Sequence, residues 1–383
     1  MTTPALPRWA TADDLPYLEI PKVTLHDHLD GAIHPETMIE LAAQQQVRLP
    51  YDDGDTLAWW FNTRDAEPAE EFPHQKFWFT TALMQDPASL ERVAYEWGRE
   101  AAADGVVYGE VRWAPEKHVR GEMSLREATF AVEAGLAAAE QDVPGTTFRQ
   151  LLCGMRETDR SAEIAELTIA THDPYTPGGV VGYDIAGPEL GHPARDHVEA
   201  CRILHEAGVP YTIHTGEGEG VESVWETVHL LHALRLGHGV RIVEDITVDG
   251  VPLQVRSAVA TVAAREGEPV LGRVARWVLD RQIPLEVCPT SNSRWVVDGL
   301  ANHPVDLLAD LGFAVTINPD NRMMSQVCVS AEMRKLREVF GWSLDRLLDA
   351  VLAAASAAFL PHELKQDLLG RLLTDIDEAG ATL

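Results

Sequence analysis

Eight short apolar, β-rich runs recur along this 383-residue chain, and stretches of helical periodicity separate them. They are KVTLHDHLD from Lys22, VVYGEVRWAP from Val106, TTFRQLLCGMR from Thr146, VVGYDIAG from Val180, PYTIHTGEG from Pro210, RLGHGV from Arg235, PLEVCPTSN from Pro284 and AVTINPDN from Ala314. Amphipathic segments such as SLREATFAVEAGLAAAEQ lie between them. Alternation of this kind requires parallel βα units. Eight of them predict an α/β fold of the (β/α)8 TIM-barrel type, in which polar residues at the carboxyl ends of the strands build the active site. Each run does open apolar and close on ionisable or small residues. An open doubly wound sheet fits the periodicity too, but no GxGxxG follows the first strand and no linker marks a second domain. Residues 1–383 therefore read as a single domain.

Roughly seventy residues separate the first two strands, far more than a crossover needs. This insertion, at about 34–104, is expected to be helical, and it is aromatic-rich at AWWFN and EFPHQKFWF. One reading is a subdomain packing its own small core. The other is a lid over the barrel mouth that closes on an aromatic or purine-like substrate, with Phe72 and Phe77 reaching the pocket.

The first run sets His26, Asp27, His28 and Asp30 within five positions. Alternate residues of a strand share a face, so His26, His28 and Asp30 converge while Asp27 points away, to a structural or solvent-facing role. Catalytic zinc takes histidine nitrogens and a carboxylate and keeps one position for water. His26 and His28 supply two such ligands, His214 on the fifth strand a third, and Asp320 on the eighth a fourth. An HxH pair alone is weak evidence, and His34, His74 and His303 read as surface or satisfied core residues. Glu217, three residues past His214, is placed to hold a proton for delivery if a closed site raises its pKa. Its alternative is a helix N-terminal charge, a role that Glu219 and Glu222 fit better. His238 lies between two glycines, where it can act as general base or stabilise a hydroxide on the metal. Alternation puts Asn318 on the face of Asp320, whose carboxylate can both ligate a metal and orient the water, with Asn321 at the turn.

Charge narrows the partners. Asp and Glu number 60 against 31 Lys and Arg, a formal net charge of -29, and no basic run interrupts it, so nucleic acid and anionic membranes are excluded as main partners. A neutral or cationic small molecule fits instead. No signal-like or membrane-spanning stretch is visible, so a cytoplasmic location is expected. Cys153, Cys201, Cys288 and Cys328 are scattered without CxxC spacing and read as reduced and buried. VCPTS is not the PCxxC pair of the cytidine-type zinc deaminases.

Taken in order, HxHLDG, GxDxAGxE, HxGE, GHG, EVCPTSN and NxDN, spread over roughly residues 20–365, resemble the adenosine deaminase family of the amidohydrolase superfamily, bacterial type. The resemblance implies one zinc per chain, held by His26, His28, His214 and Asp320, and a purine nucleoside as the small-molecule partner. It implies that Glu217 protonates purine N1 while His238 and Asp320 position the zinc-bound hydroxide for attack on C6, releasing ammonia and leaving inosine. It further implies that the Gly187 N–H binds purine N3, Asp30 the ribose 5'-hydroxyl, and Asn321 purine N7. An asparagine stands there where many members carry a second aspartate, and an amide donates at any pH. Pro319 and Thr215 depart from the family pattern, where threonine and alanine are expected. Rival readings are a deaminase of adenine, adenosine monophosphate, an N6-methylated adenine derivative or an aminofutalosine-type nucleoside. Others are a two-metal amidohydrolase bridged by a modified lysine, or a non-catalytic barrel that keeps the metal site.

Overall fold

The computed structural model describes residues 6–63, 72–265 and 267–380, except the side chains of residues 72–75 and 377–380. All eight predicted runs are strands. They are β1 (Lys22–His28), β2 (Val106–Trp113), β3 (Thr147–Met155), β4 (Val180–Ala186), β5 (Thr212–Thr215) and β6 (Arg235–His238), followed later by β10 (Leu285–Val287) and β11 (Val315–Ile317). Three short strands intervene: β7 (Ile246–Val248), β8 (Val251–Pro252) and β9 (Val270–Leu271) pair antiparallel as a small separate sheet that the sequence pattern did not reveal.

The architecture is an α/β fold with parallel sheets. One sheet runs β1-β2-β3-β4 and the other β5-β6-β10-β11, every pairing parallel. The two sheets touch at both edges. Tyr183 of β4 donates its N–H to Pro210 O at 3.1 Å, ahead of β5. At the other edge His28 N donates to Asp320 O at 2.9 Å and Asp320 N to His26 O at 3.1 Å, joining β1 to the end of β11. Asn318 staples that seam: its Oδ1 accepts from Leu25 N and His26 N, and its Nδ2 donates to Thr316 Oγ1. Among the described residues, no helix is long and apolar enough to cross a membrane.

Four helices, Pro35–Gln45, Gly54–Asn62, Phe72–Ala82 and Pro87–Ala103, fill the segment between β1 and β2. The last packs on β2 and on helix Leu125–Asp142, as a crossover helix does. That contact is close: a Cβ at Gly135 would lie 2.2 Å from Glu91 O. The other three build a partial core around Leu57, Trp60 and Phe61. They also sit at the strand ends, with Phe72–Ala82 against the turn Leu29–Gly31 and Gly54–Asn62 against Arg322–Ser325. Phe77 is half-buried, whereas the Phe72 and His74 side chains fall outside the described residues.

Charged residues are threaded through otherwise apolar strands. Arg112 of β2 pairs with Asp184 of β4 at 2.8 Å and Glu286 of β10 at 2.7 Å, all three fully buried. Arg235 of β6 pairs with Glu110 at 2.7 Å and Glu286 at 2.7 Å. Asp27 turns away from the histidines, but it is buried rather than solvent-facing, because Arg322 takes its carboxylate at 2.6 Å. Removing one partner of such a set leaves an uncompensated buried charge. Arg235→Met should therefore lower the unfolding free energy by about 3–5 kcal/mol, measured by urea denaturation. A loss within experimental error would mean that Glu110 and Glu286 are neutral in the fold.

Candidate active site

The strand ends bring His26, His28, His214 and Asp320 together as the sequence predicted. The three histidines are buried and close enough for one ion to contact all of them. His28 Nε2 lies 3.2 Å from His214 Nε2, and Asp320 Oδ1 lies 3.3 Å from His28 Nε2 and 3.5 Å from His26 Nε2. Two nitrogens bound at 2.0–2.1 Å to one tetrahedral ion stand about 3.3 Å apart. His26 Nε2 is buried and has no hydrogen-bond partner, as a ligand atom awaiting a cation would be. The donor set therefore fits a metal such as zinc.

The far nitrogens of these rings face carboxylates. His26 Nδ1 lies 3.0 Å from Glu286 Oε2 and His214 Nδ1 2.9 Å from Asp184 Oδ2, while His28 Nδ1 is 4.0 Å from Asp30 Oδ1. A carboxylate at Nδ1 keeps the proton there and leaves the Nε2 lone pair for a metal. Glu286 thus fixes the tautomer of His26, Asp184 lies beside His214 Nδ1 without an aligned hydrogen bond, and Arg112 bridges the two carboxylates. Sequence reasoning assigned none of these three a role, although charged residues inside apolar strands were the available signal. Against burial that would raise them, Arg112 and the neighbouring histidines hold both carboxyls well below the usual range. Burial pushes His28 and His214 down to about 4, so both are neutral near pH 7.

Asp320 is fixed from three directions. Ser291 Oγ donates to its Oδ2 at 2.6 Å, Asn321 Nδ2 to its Oδ1 at 2.8 Å, and its backbone adopts a φ of 62°. His238 shares that left-handed conformation, with φ 64°, and such strain is held where the surroundings over-determine it. Its Nδ1 lies 3.2 Å from Asn292 Nδ2, and Asn292 in turn meets His303 Nε2 at 3.3 Å. His303 is thus a satisfied core residue, and His34 is half-buried and pairs with Glu100.

Glu217 points into the same group, its Oε2 3.5 Å from His238 Nε2, with the side chain 29% exposed. Burial raises its pKa; His238 opposes this, and the charges of Asp320 and Glu189 add to it. Asp30 is buried in the turn Leu29–Gly31 after β1, its Oδ2 3.7 Å from His118 Nε2. Gly187 follows β4 directly with φ 98°, where a Cβ would lie 2.6 Å from Glu157 Oε2. Asn321 packs on Gly31, since a Cβ there would meet its Oδ1 at 2.0 Å. All four cysteines are free and buried.

The buried imidazoles set a pH dependence. His28 and His214 titrate at about 4 and His303 at about 3, against 6.5 in an unfolded chain. The unfolded chain thus binds protons first, so stability is fully present above 6.5 and is lost as pH falls towards 4. The melting temperature of the metal-free protein should drop steadily across that interval. A flat profile would show that these rings titrate normally.

Comparison with known proteins identifies the family. The family model for adenosine deaminase matches residues 21–375. An adenosine deaminase of Mycobacterium bovis is 41% identical over 359 residues, covering 92% of this chain and 93% of the relative. A zinc-bound amidohydrolase from Burkholderia ambifaria superposes with a TM-score of 0.79 at 25% identity, over 97% of this chain and 95% of the other. An adenine deaminase from Arthrobacter aurescens gives 0.78 at 24% identity, over 94% and 99%, and so shares the fold. With the family model and the sequence match both running nearly end to end, this chain belongs to the adenosine deaminase family.

Proposed function

We propose that this protein catalyses the zinc-dependent hydrolytic deamination of adenosine, and of 2'-deoxyadenosine, to the 6-oxo nucleoside and ammonia. One observation carries the reading: three neutral imidazoles and the Asp320 carboxylate converge on one point, with a carboxyl of raised pKa, Glu217, beside His238. The match to mycobacterial adenosine deaminases supports the substrate.

His26, His28, His214 and Asp320 would hold one zinc per chain. When bound, that ion supplies a hydroxide nucleophile at neutral pH by lowering the pKa of water to about 7. The chain's residues carry the remaining steps. Glu217, whose pKa burial and the nearby negative charges raise against the opposing effect of His238, donates its proton to purine N1, so that C6 becomes electrophilic and no charge builds on the ring. His238, whose Nδ1 accepts from Asn292 Nδ2, presents its Nε2–H to the incoming oxygen nucleophile and holds it for attack on C6, and the hydroxyl proton of the adduct leaves with the amine as ammonia. One N–H of the Asn321 amide is given to Asp320, and the second is left for purine N7. The Gly187 N–H would meet N3 and Asp30 the ribose 5'-hydroxyl. A carboxylate at that end disfavours a 5'-phosphate, because two anions would repel.

The edge contacts between the two four-stranded sheets support a closed (β/α)8 barrel, a single domain over residues 1–383. The helices within about 34–104 act as a lid, a reading supported by their packing at the strand ends. Free, buried cysteines are consistent with work in the cytoplasm.

Glu217→Gln should keep its zinc and lose turnover by about 10²–10⁴-fold, whereas His214→Ala should lose both, measured by metal analysis and ultraviolet-monitored deamination. Equal metal loss in the two variants would remove the acid assignment. With adenosine, adenine, adenosine monophosphate and N6-methyladenosine offered in parallel, adenosine should show the highest kcat/KM. Faster turnover of another amine would keep the chemistry and reassign the substrate.

A further inference from the structure

Glu189, the last residue of the GxDxAGxE stretch, has a role that the metal site and proton donor leave unexplained. It is buried in the loop after β4. Its Oε1 accepts from Gly216 N at 2.8 Å and Ser223 Oγ at 2.5 Å. Its Oε2 accepts from Glu217 N at 3.1 Å, Gly218 N at 2.7 Å and Glu219 N at 3.0 Å. Four of these five donors are the successive backbone N–H groups of the turn that carries Glu217.

A turn with glycine at 216, 218 and 220 has little stiffness of its own. Its four inward N–H groups have no acceptor within the turn, and they form a nest that an anion fills. Glu189 is that anion, supplied from another strand end. Behind it, Thr215 Oγ1 and Ser223 Oγ are 2.9 Å apart, so a polar chain runs from the carboxylate back to the residue beside His214. The threonine that departs from the family pattern therefore lies in the same cluster.

We infer that Glu189 is a positioning residue for catalysis: its carboxylate clamps the backbone of 216–219 and so presents the Glu217 carboxyl at a fixed point, with Ser223 and Thr215 orienting the clamp. The inference rests on Glu217 being the proton donor. Glu189 touches no reacting atom; it acts through the turn.

The test is steady-state kinetics on adenosine, with zinc analysis, for the zinc-loaded full chain carrying Glu189→Gln, Thr215→Val, Glu217→Gln, or Glu189→Gln with Glu217→Gln. An amide can satisfy only part of the nest, so Glu189→Gln should lower kcat about 10–100-fold with KM within about threefold and one zinc retained. In the Glu217→Gln background it should cost no more than about a further twofold, because residues that act as a unit are not additive. Thr215→Val should lower kcat several-fold at unchanged KM. Additive losses, a loss carried by KM, or departure of zinc would make Glu189 a general structural residue and overturn the proposal. If Glu189→Gln does not fold, Thr215→Val decides, and an unchanged kcat overturns the proposal. If Glu217→Gln itself turns over normally, the acid assignment fails first. An inactive Glu217→Gln beside a fully active Glu189→Gln removes the positioning role alone.

Discussion

Arg112 holds the site together from beneath. It is fully buried between Asp184 and Glu286, and those two carboxylates face the far nitrogens of His214 and His26. Taking such charges out of water costs several kcal/mol per ion, and mutual attraction seldom returns much more than that. A set like this is poorly explained as a device for stability. It is well explained as a device for fixing tautomers, because a ligand histidine must offer one nitrogen free of hydrogen and keep it aimed. Arg235 extends the set to Glu110, so four strands share one electrostatic framework under the metal ligands.

The same economy governs the backbone. His238 and Asp320 both adopt the left-handed conformation, at φ 64° and 62°, where a side chain other than glycine is strained. Each is held by contacts from elsewhere: Asn292 meets the ring of His238, and Ser291 and Asn321 take both oxygens of Asp320. Ser291 and Asn292 are neighbours on the short helix Pro289–Trp295, which follows β10 directly. One helix end therefore orients His238 and Asp320 together, and Glu189 accepts from the backbone of the turn that carries Glu217 in a comparable way.

The eight strands and the convergence of His26, His28, His214 and Asp320 were legible because each depends on local periodicity: alternation within a strand and polarity at its end. Glu217 and His238 were legible through their neighbours, a ligand histidine in one case and paired glycines in the other. The supporting layer was not. Asp184, Glu286, Arg112 and Asn292 matter through partners tens to hundreds of positions away, and no window of sequence contains both members of such a pair. Asp27 shows the same limit: its face was predicted from alternation, but its burial follows from Arg322, 295 residues later. The small antiparallel sheet of β7 to β9 was missed because two of its strands are only two residues long, too short for any period.

Pro319 shows how a departure from a family pattern can be neutral in the strand yet fit the site. Asn318 N donates across to Val287 O of β10, whereas Asp320 N donates the other way, to His26 O of β1. In a regular strand the N–H groups of residues i and i+2 point to the same neighbour, so the chain reverses its ladder at position 319. A residue at that reversal has no ladder partner to serve, and proline has no N–H to leave unsatisfied. Proline also biases the preceding residue towards extended backbone, which is the conformation Asn318 needs in order to cap Leu25 and His26 while continuing β11. Beyond the reversal Asp320 enters its left-handed conformation and presents Oδ1 to the histidines. A rigid residue thus stands at the switch immediately before Asp320, whose carboxylate faces the imidazoles, while Arg112 holds the carboxylates behind them.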